Sequence, residues 1–183
     1  MRIGIVSDTH GDLNAWETIT EGLLKEVELI LHAGDILYHG PRNPLVKGYQ
    51  PKELAQVLNE FPIPILAARG NCDTDVDQMV LNFPIASPYL FTFLNNKRVL
   101  VDHGYRLSTE ELVQLCTKWK IDLCITGHTH IALLEKKGDT VYFNPGSCSL
   151  PKGTGIPSVG IWDNNELKLL NIYSGDILAE IQL

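Results

Sequence analysis

Short apolar runs, each closed by glycine or a polar cluster, alternate through the first two thirds of the chain with stretches whose apolar residues return at helical spacing. The first run, Arg2-Ile3-Gly4-Ile5-Val6-Ser7, is almost uninterrupted, the texture of a strand covered on both faces. Leu13 to Glu26 carries Ala15, Ile19, Leu23 and Val27 on one helical face, and Glu28 to His32 reads as its companion strand. The segment Ile36 to Gln50 holds His39-Gly40-Pro41-Arg42-Asn43-Pro44, too rich in glycine and proline for a regular element. Loops of this length in compact domains are often functional. Pro51 stands where a first helical residue belongs, Leu54, Val57, Leu58 and Phe61 supply the stripe behind it, and Pro62 and Pro64 end it. Ile65 to Ala68 is a third buried strand.

Beyond Met79 the pattern turns toward β structure. Leu90 to Leu94 and Arg98 to Asp102 flank a turn at Asn95-Asn96 and read as a hairpin. Ser108-Thr109-Glu110-Glu111 is a capping box ahead of a helix whose Leu112, Leu115, Cys116 and Trp119 face a core. Asp122 to Thr126 is another buried strand. Ala132–Lys136, Thr140–Phe143, Ser158–Trp162, Leu167–Tyr173 and Ile177–Leu183 then follow, with turn sequences at Asp163-Asn164-Asn165 and Ser174-Gly175-Asp176. This is a meander rather than a second unit. The pattern predicts one α/β domain over residues 1–183, large enough to bury a core without disulfides or structural zinc. Its C-terminal third leaves an edge strand that could pair with a second copy.

The ends of the buried strands share a chemistry. They deliver Asp8-Thr9-His10, Gly34-Asp35, Gly70-Asn71-Cys72-Asp73, His103-Gly104 and Gly127-His128-Thr129-His130, and open α/β sheets bind their ligands just outside such carboxyl ends. Side chains two apart in extended chain share a face, so Asp8 and His10 are expected to turn toward one point. The blander reading is an Asx turn with Asp12 or Asn14 capping the next helix. His32, Cys116 and Cys124, inside predicted elements, read as core residues. Collected, Asp8, His10, Asp35, Asn71, His103, His128 and His130 exceed the roughly six donors one divalent ion accepts, and with Asp35 bridging they fit two ions about 3.5–4 Å apart. So many imidazoles suit Mn²⁺, Fe, Co²⁺, Ni²⁺ or Zn²⁺ better than Ca²⁺ or Mg²⁺.

A net charge of −7 without clusters of Lys and Arg argues against a nucleic-acid surface. It leaves room for a small phosphate ester, because bound cations reverse the local field. No window approaches the roughly 18 uninterrupted apolar residues of a membrane span, and the chain enters its first strand with no leader layout, so a cytoplasmic location is expected. Cys72, Cys116, Cys124 and Cys148 form no paired motif and should be free thiols in a reducing compartment.

In this order and spacing the five strand-end blocks resemble those of the calcineurin-like metallophosphoesterases, and the whole chain, with Asn144-Pro145-Gly146-Ser147 and the His39–Asn43 loop, resembles their small bacterial and archaeal phosphodiesterase branch. The resemblance implies a two-sheet β-sandwich flanked by helices (α/β/β/α), with the site along one edge. Carried over by position, Asp8, His10, Asp35 and His130 would hold one metal and Asp35, Asn71, His103 and His128 the other, Mn²⁺ being the first choice. It implies a metal-dependent phosphodiesterase acting on small phosphodiesters, in which a hydroxide shared by the two metals attacks phosphorus in line. Asp73 would accept a proton from a ligand histidine and fix its tautomer. Many members of the family carry His after the Gly-Asn pair, where this chain has Cys72. An ordinary thiol is a poor acid for an alkoxide leaving group, and beside cations it can ionise instead. His39 or Arg42 is expected to contact the phosphate, and Cys148 to pack. The competing readings are a phosphomonoesterase or protein phosphatase, disfavoured by the missing His and the compact chain, and a binding scaffold of the same fold, as in the retromer subunit, which has lost part of the ligand set that is whole here.

Overall fold

Two sheets separate three apolar layers in the computed structural model, which describes Met1–Leu183. The larger, seven-stranded sheet runs β12(Ile177–Gln182), β11(Glu166–Asn171), β10(Ser158–Asp163), β1(Arg2–Val6), β2(Leu29–His32), β3(Ile65–Ala68), β4(Ile85–Ala86). The five-stranded sheet runs β5(Leu90–Leu94), β6(Lys97–Val101), β7(Leu123–Ile125), β9(Thr140–Asn144), β8(Leu133–Lys137). Helices α1(Leu13–Glu21), α2(Pro51–Glu60) and α3(Asp75–Val80) accompany the first sheet and α4(Thr109–Trp119) the second.

Strand alternation sorts residues between layers. Ile3 and Ile5 of β1 and Leu29 and Leu31 of β2 enter the layer between the sheets, against Val99, Val101, Leu123, Ile125 and Phe143. Val6, Ile30 and Ala67 point the other way, onto Trp16, Ile19, Leu54 and Leu58 of α1 and α2. In the third layer Leu100, Cys124 and Tyr142 meet Leu112 and Cys116 of α4. Both faces of the central strands are therefore covered, which is why their sequences read as continuous apolar runs. The architecture is the expected sandwich flanked by helices.

Three local differences have physical causes. Helix α1 stops at Glu21 instead of Glu26, because Gly22 leaves helical geometry with φ −102° and ψ −105°. The chain then curls back, Leu24 N–H donating to the Ile19 carbonyl at 2.8 Å, so that Leu24 rather than Leu23 is fully buried. Helix α3 and strand β4, six and two residues long, are too short to show a period. The C-terminal strands read as one meander divide between the sheets: β9 pairs with β7 and carries β8 beside it, whereas β10, β11 and β12 join the sheet of β1 through an antiparallel β1/β10 pairing, leaving β12 as the edge.

Register places the site. Strands β1, β2, β3 and β4 pair in parallel, as do β6, β7 and β9, so the carboxyl ends of both sets come to a common rim. No helix is long and apolar enough to cross a membrane, and all four cysteines are free and buried.

Candidate metal centre

The rim loops depart at once from extended backbone. Asp8, His10, Asp35, His128 and His130 all have left-handed φ, between 46° and 65°, a conformation costing a side-chain-bearing residue about 1–2 kcal/mol. The expectation that Asp8 and His10 share a direction through strand alternation is thus replaced: β1 ends at Val6, and two successive left-handed turns aim both side chains inward. Long-range bonds hold these turns. Asp8 N–H donates to the Gly34 carbonyl and His10 N–H to the Asp35 carbonyl, both at 3.0 Å, while Ser147 Oγ and Ser149 Oγ donate to the Asp8 carbonyl at 2.7 and 3.0 Å. Asn144 Nδ2 donates to the Gly127 carbonyl at 2.7 Å and steadies the loop carrying His128 and His130. Asp12 does cap α1, accepting from Ala15 N–H at 3.1 Å.

Each buried carboxylate is anchored by one oxygen and offers the other. Asp8 Oδ2 accepts from Ser7 Oγ at 2.6 Å and His128 N–H at 3.0 Å. Its Oδ1 lies 3.2 Å from His130 Nε2, 3.6 Å from His10 Nε2 and 3.8 Å from His103 Nε2. Asp35 Oδ1 accepts from Cys72 N–H at 2.7 Å, and its Oδ2 lies 3.3 Å from His103 Nε2 and 3.7 Å from His10 Nε2. A side chain on residue 70 would collide with the Asp35 backbone and carboxylate, so glycine is needed there for the two loops to approach.

The imidazoles are oriented by backbone carbonyls. His10 Nδ1 donates to Tyr38 O at 2.8 Å, His103 Nδ1 to Ala33 O at 2.6 Å and His130 Nδ1 to Leu150 O at 2.7 Å. With the proton on Nδ1, the Nε2 lone pairs of His10 and His103 face both carboxylates and that of His130 faces Asp8, the tautomer a metal ligand requires. His10 Nε2 and His130 Nε2 are 3.1 Å apart, and Asp8 Oδ1 and His103 Nε2 are sealed from solvent without a hydrogen-bond partner. Anionic oxygens and lone pairs gathered in a dry site repel one another; a divalent cation satisfies them all, so the donor set fits metal.

Without the metal, a proton takes part of that role. Burial would raise the Asp8 carboxyl, but the neighbouring imidazoles of His10, His130 and His103 hold it well below the carboxylate range. Burial opposes protonation of His103, yet Asp35 and Asp8 together push it up to about 9. Burial lowers His32 to about 4; Nε2 of this ring reaches Thr9 Oγ1 at 3.2 Å and its Nδ1 accepts from Gly34 N–H at 3.1 Å, making it the satisfied core histidine expected.

Asp8, His10, Asp35, His103 and His130 converge. Asn71 and His128 stand beside them bonded to each other, Asn71 Oδ1 to His128 Nδ1 at 2.6 Å. Asp73 departs from its expected role: its carboxylate touches no imidazole and instead accepts from the N–H groups of Asp35 (2.8 Å), Ile36 (2.8 Å) and Gly70 (2.7 Å), tying together the loops after β2 and β3. The tautomers are set by carbonyls instead. Burial and the nearby Asp35 push the Cys72 thiol up to about 12. A cleft of about 790 Å³ opens over the cluster, lined by Arg42, Asn71, Cys72, His128, His130 and Lys152 among others. His39 is not in that lining; its ring lies edge-on between Tyr38 (4.6 Å) and Tyr49 (5.1 Å). Cys148 is core, 2% exposed. Sequence reasoning missed the work of Asn144, Ser147 and Lys152. The Asn144-Pro145-Gly146-Ser147 turn was the available signal for the first two, whereas a lone surface lysine carries none.

Comparison with known proteins places this geometry. The sequence model of the calcineurin-like phosphoesterase superfamily domain matches residues 1–166. Phosphodiesterase YfcE of Escherichia coli K12 is 38% identical over 184 residues, spanning 100% of this chain and 98% of that protein. A probable metallophosphoesterase of Methanothermobacter thermautotrophicus is 33% identical over 166 residues, 87% of this chain and 83% of that one. The solved structure of YfcE, a phosphoesterase from E. coli, superposes with a TM-score of 0.89 at 35% identity, covering 100% and 99% of the two chains. Vps29 of Entamoeba histolytica, complexed with Zn²⁺, shares the fold, with a TM-score of 0.70 at 15% identity and coverage of 100% and 99%.

Proposed function

The chain belongs to the calcineurin-like phosphoesterase superfamily, and from that premise we propose that it is a metal-dependent phosphodiesterase hydrolysing small phosphodiesters in the cytoplasm. The observation that carries the reading is the dry, unpartnered pair Asp8 Oδ1 and His103 Nε2 amid imidazoles whose tautomers are already those of ligands. Asp8, His10, Asp35 and His130 would hold one divalent ion, and Asp35, Asn71, His103 and His128 the other, with Mn²⁺ the proposed metal. When bound, two such ions lower the pKa of a coordinated water toward neutrality and stabilise charge on phosphoryl oxygens.

The chain's own residues do the rest. Arg42 and Lys152 supply positive charge in the cleft, and Arg42 would hold a phosphoryl oxygen. Cys72 lies with His10 and Asp35 in one ligand-distance group, but a thiol raised to about 12 donates a proton poorly to a departing alkoxide. Substrates with good leaving groups are therefore favoured, and a phosphomonoester gains nothing that would compensate for its extra charge. The test strips metal, restores one divalent ion at a time and compares matched aryl phosphodiester and phosphomonoester substrates. Metal-dependent turnover favouring the diester is expected, with Arg42→Ala raising KM severalfold and Cys72→His raising monoester turnover. Tight metal binding without turnover of either ester would replace the enzyme by a scaffold.

Protons and metal compete for this centre. In the metal-free protein His103 has a pKa of about 9, above the ordinary 6.5, so it stabilises the fold fully below pH 6.5 and that contribution is lost as pH rises through about 9. Metal must displace that proton. The gain in Tm on adding Mn²⁺ should accordingly grow from pH 6.5 to 8.5, while the Tm in chelator falls; a gain that is flat or shrinks over this range contradicts the assignment of His103 as a ligand.

A further inference from the structure

Beside the catalytic cleft lies a second cavity of about 450 Å³, walled by Leu37, Tyr38, Tyr49, Ala55 and Val80. We propose that this cavity is the subsite for an apolar, ring-bearing alcohol group of the phosphodiester, an assignment that rests on the phosphodiesterase reading above and adds the class of substrate.

The two concavities share walls. Tyr38 lines both, and its carbonyl is the group that orients His10. Helix α3 borders both as well, its capping residue Thr74 on the cleft and Asp77 and Val80 on the cavity. The cleft is predominantly polar and carries Arg42 and Lys152, whereas the cavity wall is largely apolar. His39 acquires a purpose here: wedged edge-on between Tyr38 and Tyr49, it fixes the two rings that form one side of the cavity.

Two of the polar side chains in the lining are committed elsewhere. Asn59 donates to the Val80 carbonyl at 2.7 Å and accepts from Asn82 N–H at 2.7 Å, and the Asp77 carboxylate accepts from Thr74 Oγ1 at 2.7 Å. The free polar groups are therefore Lys52 and Gln56, both exposed, and the hydroxyl tips of Tyr38 and Tyr49, while the wall itself is largely apolar, so the chemistry selects an apolar, ring-bearing occupant. The volume is within the range of small-molecule pockets and exceeds what one ring needs. A phosphodiester has two alcohol groups and only one leaves; the retained group can bind here, whereas a monoester has none to place. Binding energy from that non-reacting part would then serve the reaction.

Calorimetry on the metal-loaded protein, with diphenyl phosphate and dimethyl phosphate as probes, tests this without requiring turnover. Diphenyl phosphate is expected to bind about tenfold tighter, and this ratio should fall below about threefold in Ala55→Phe, which fills the cavity, and in Val80→Lys, which charges its mouth at a residue 46% exposed. A wild-type ratio near one, or a tenfold ratio surviving in both variants, overturns the subsite. A tenfold preference erased by both variants, in a protein that hydrolyses no diester, keeps the subsite and removes the phosphodiesterase reading. Turnover of aryl diesters with no binding preference does the reverse.

Discussion

Asp35→Asn should leave the fold intact and lower metal-dependent turnover by roughly a thousandfold, about 4 kcal/mol of barrier. The substitution is isosteric, and an amide oxygen can still accept from Cys72 N–H, the bond that anchors Asp35 Oδ1 at 2.7 Å. What changes is the other oxygen, which faces His103 Nε2 at 3.3 Å and His10 Nε2 at 3.7 Å. An amide N–H placed there satisfies the imidazole lone pairs without a cation and removes a negative charge next to Asp8. The pKa of His103 should fall from its raised position, since the bond to Asp35 is the first of the interactions that raise it, and below about pH 9 the metal-free variant should lose the part of the stability that this raised pKa confers. Metal content after dialysis and turnover at saturating Mn²⁺ are the measurements. Two retained ions with turnover within tenfold of wild type would show that Asp35 is not shared between the metals.

Asp73→Ala should act through stability, lowering the free energy of unfolding by about 3–5 kcal/mol. Its carboxylate accepts from three backbone N–H groups, those of Asp35, Ile36 and Gly70. All three residues are buried, and a buried donor left without a partner costs about 1–3 kcal/mol. Against the 5–15 kcal/mol typical of a whole domain this is a large loss. Asp73→Asn keeps one oxygen acceptor but puts an amide against a backbone donor, and should fall between wild type and Ala. Denaturant midpoints with chelator present separate this from a chemical role. Had Asp73 fixed a histidine tautomer, as first expected, the midpoint would hold and only metal affinity and rate would drop; a wild-type midpoint for Asp73→Ala would sink the positioning role.

Much of the candidate site was readable because its residues are signalled locally. A strand covered on both faces must be apolar throughout, so the strand limits stood out. The polar residues just past them, Asp8, His10, Asp35, Asn71, His103, His128 and His130, were collected from spacing alone, and the structure draws Asp8, His10, Asp35, His103 and His130 into one cluster. The capping box at Ser108 and Glu111 is present, as is the proline start of α2 at Pro51. These features depend on residues within a turn or two of each other.

Other features depend on partners that the chain brings together from far apart. The left-handed backbone at Asp8 and His10 is a local cost borne only because bonds to the loop after β2 and to Ser147 over-determine it. Neither Tyr38 O, Ala33 O nor Leu150 O could be assigned to an imidazole by periodicity, since a carbonyl has no sequence signature. Of the paired guesses in the loop after β2, Arg42 reaches the cleft and His39 turns between two tyrosines, a choice made by packing. Composition and pattern by themselves determined the α/β class, the strand ends and the kinds of donor at the rim, because burial and period are local demands on residue type. The direction of each donor, its tautomer and the residues that brace it were decided by tertiary structure, because those are set by hydrogen bonds and contacts between segments tens of residues apart.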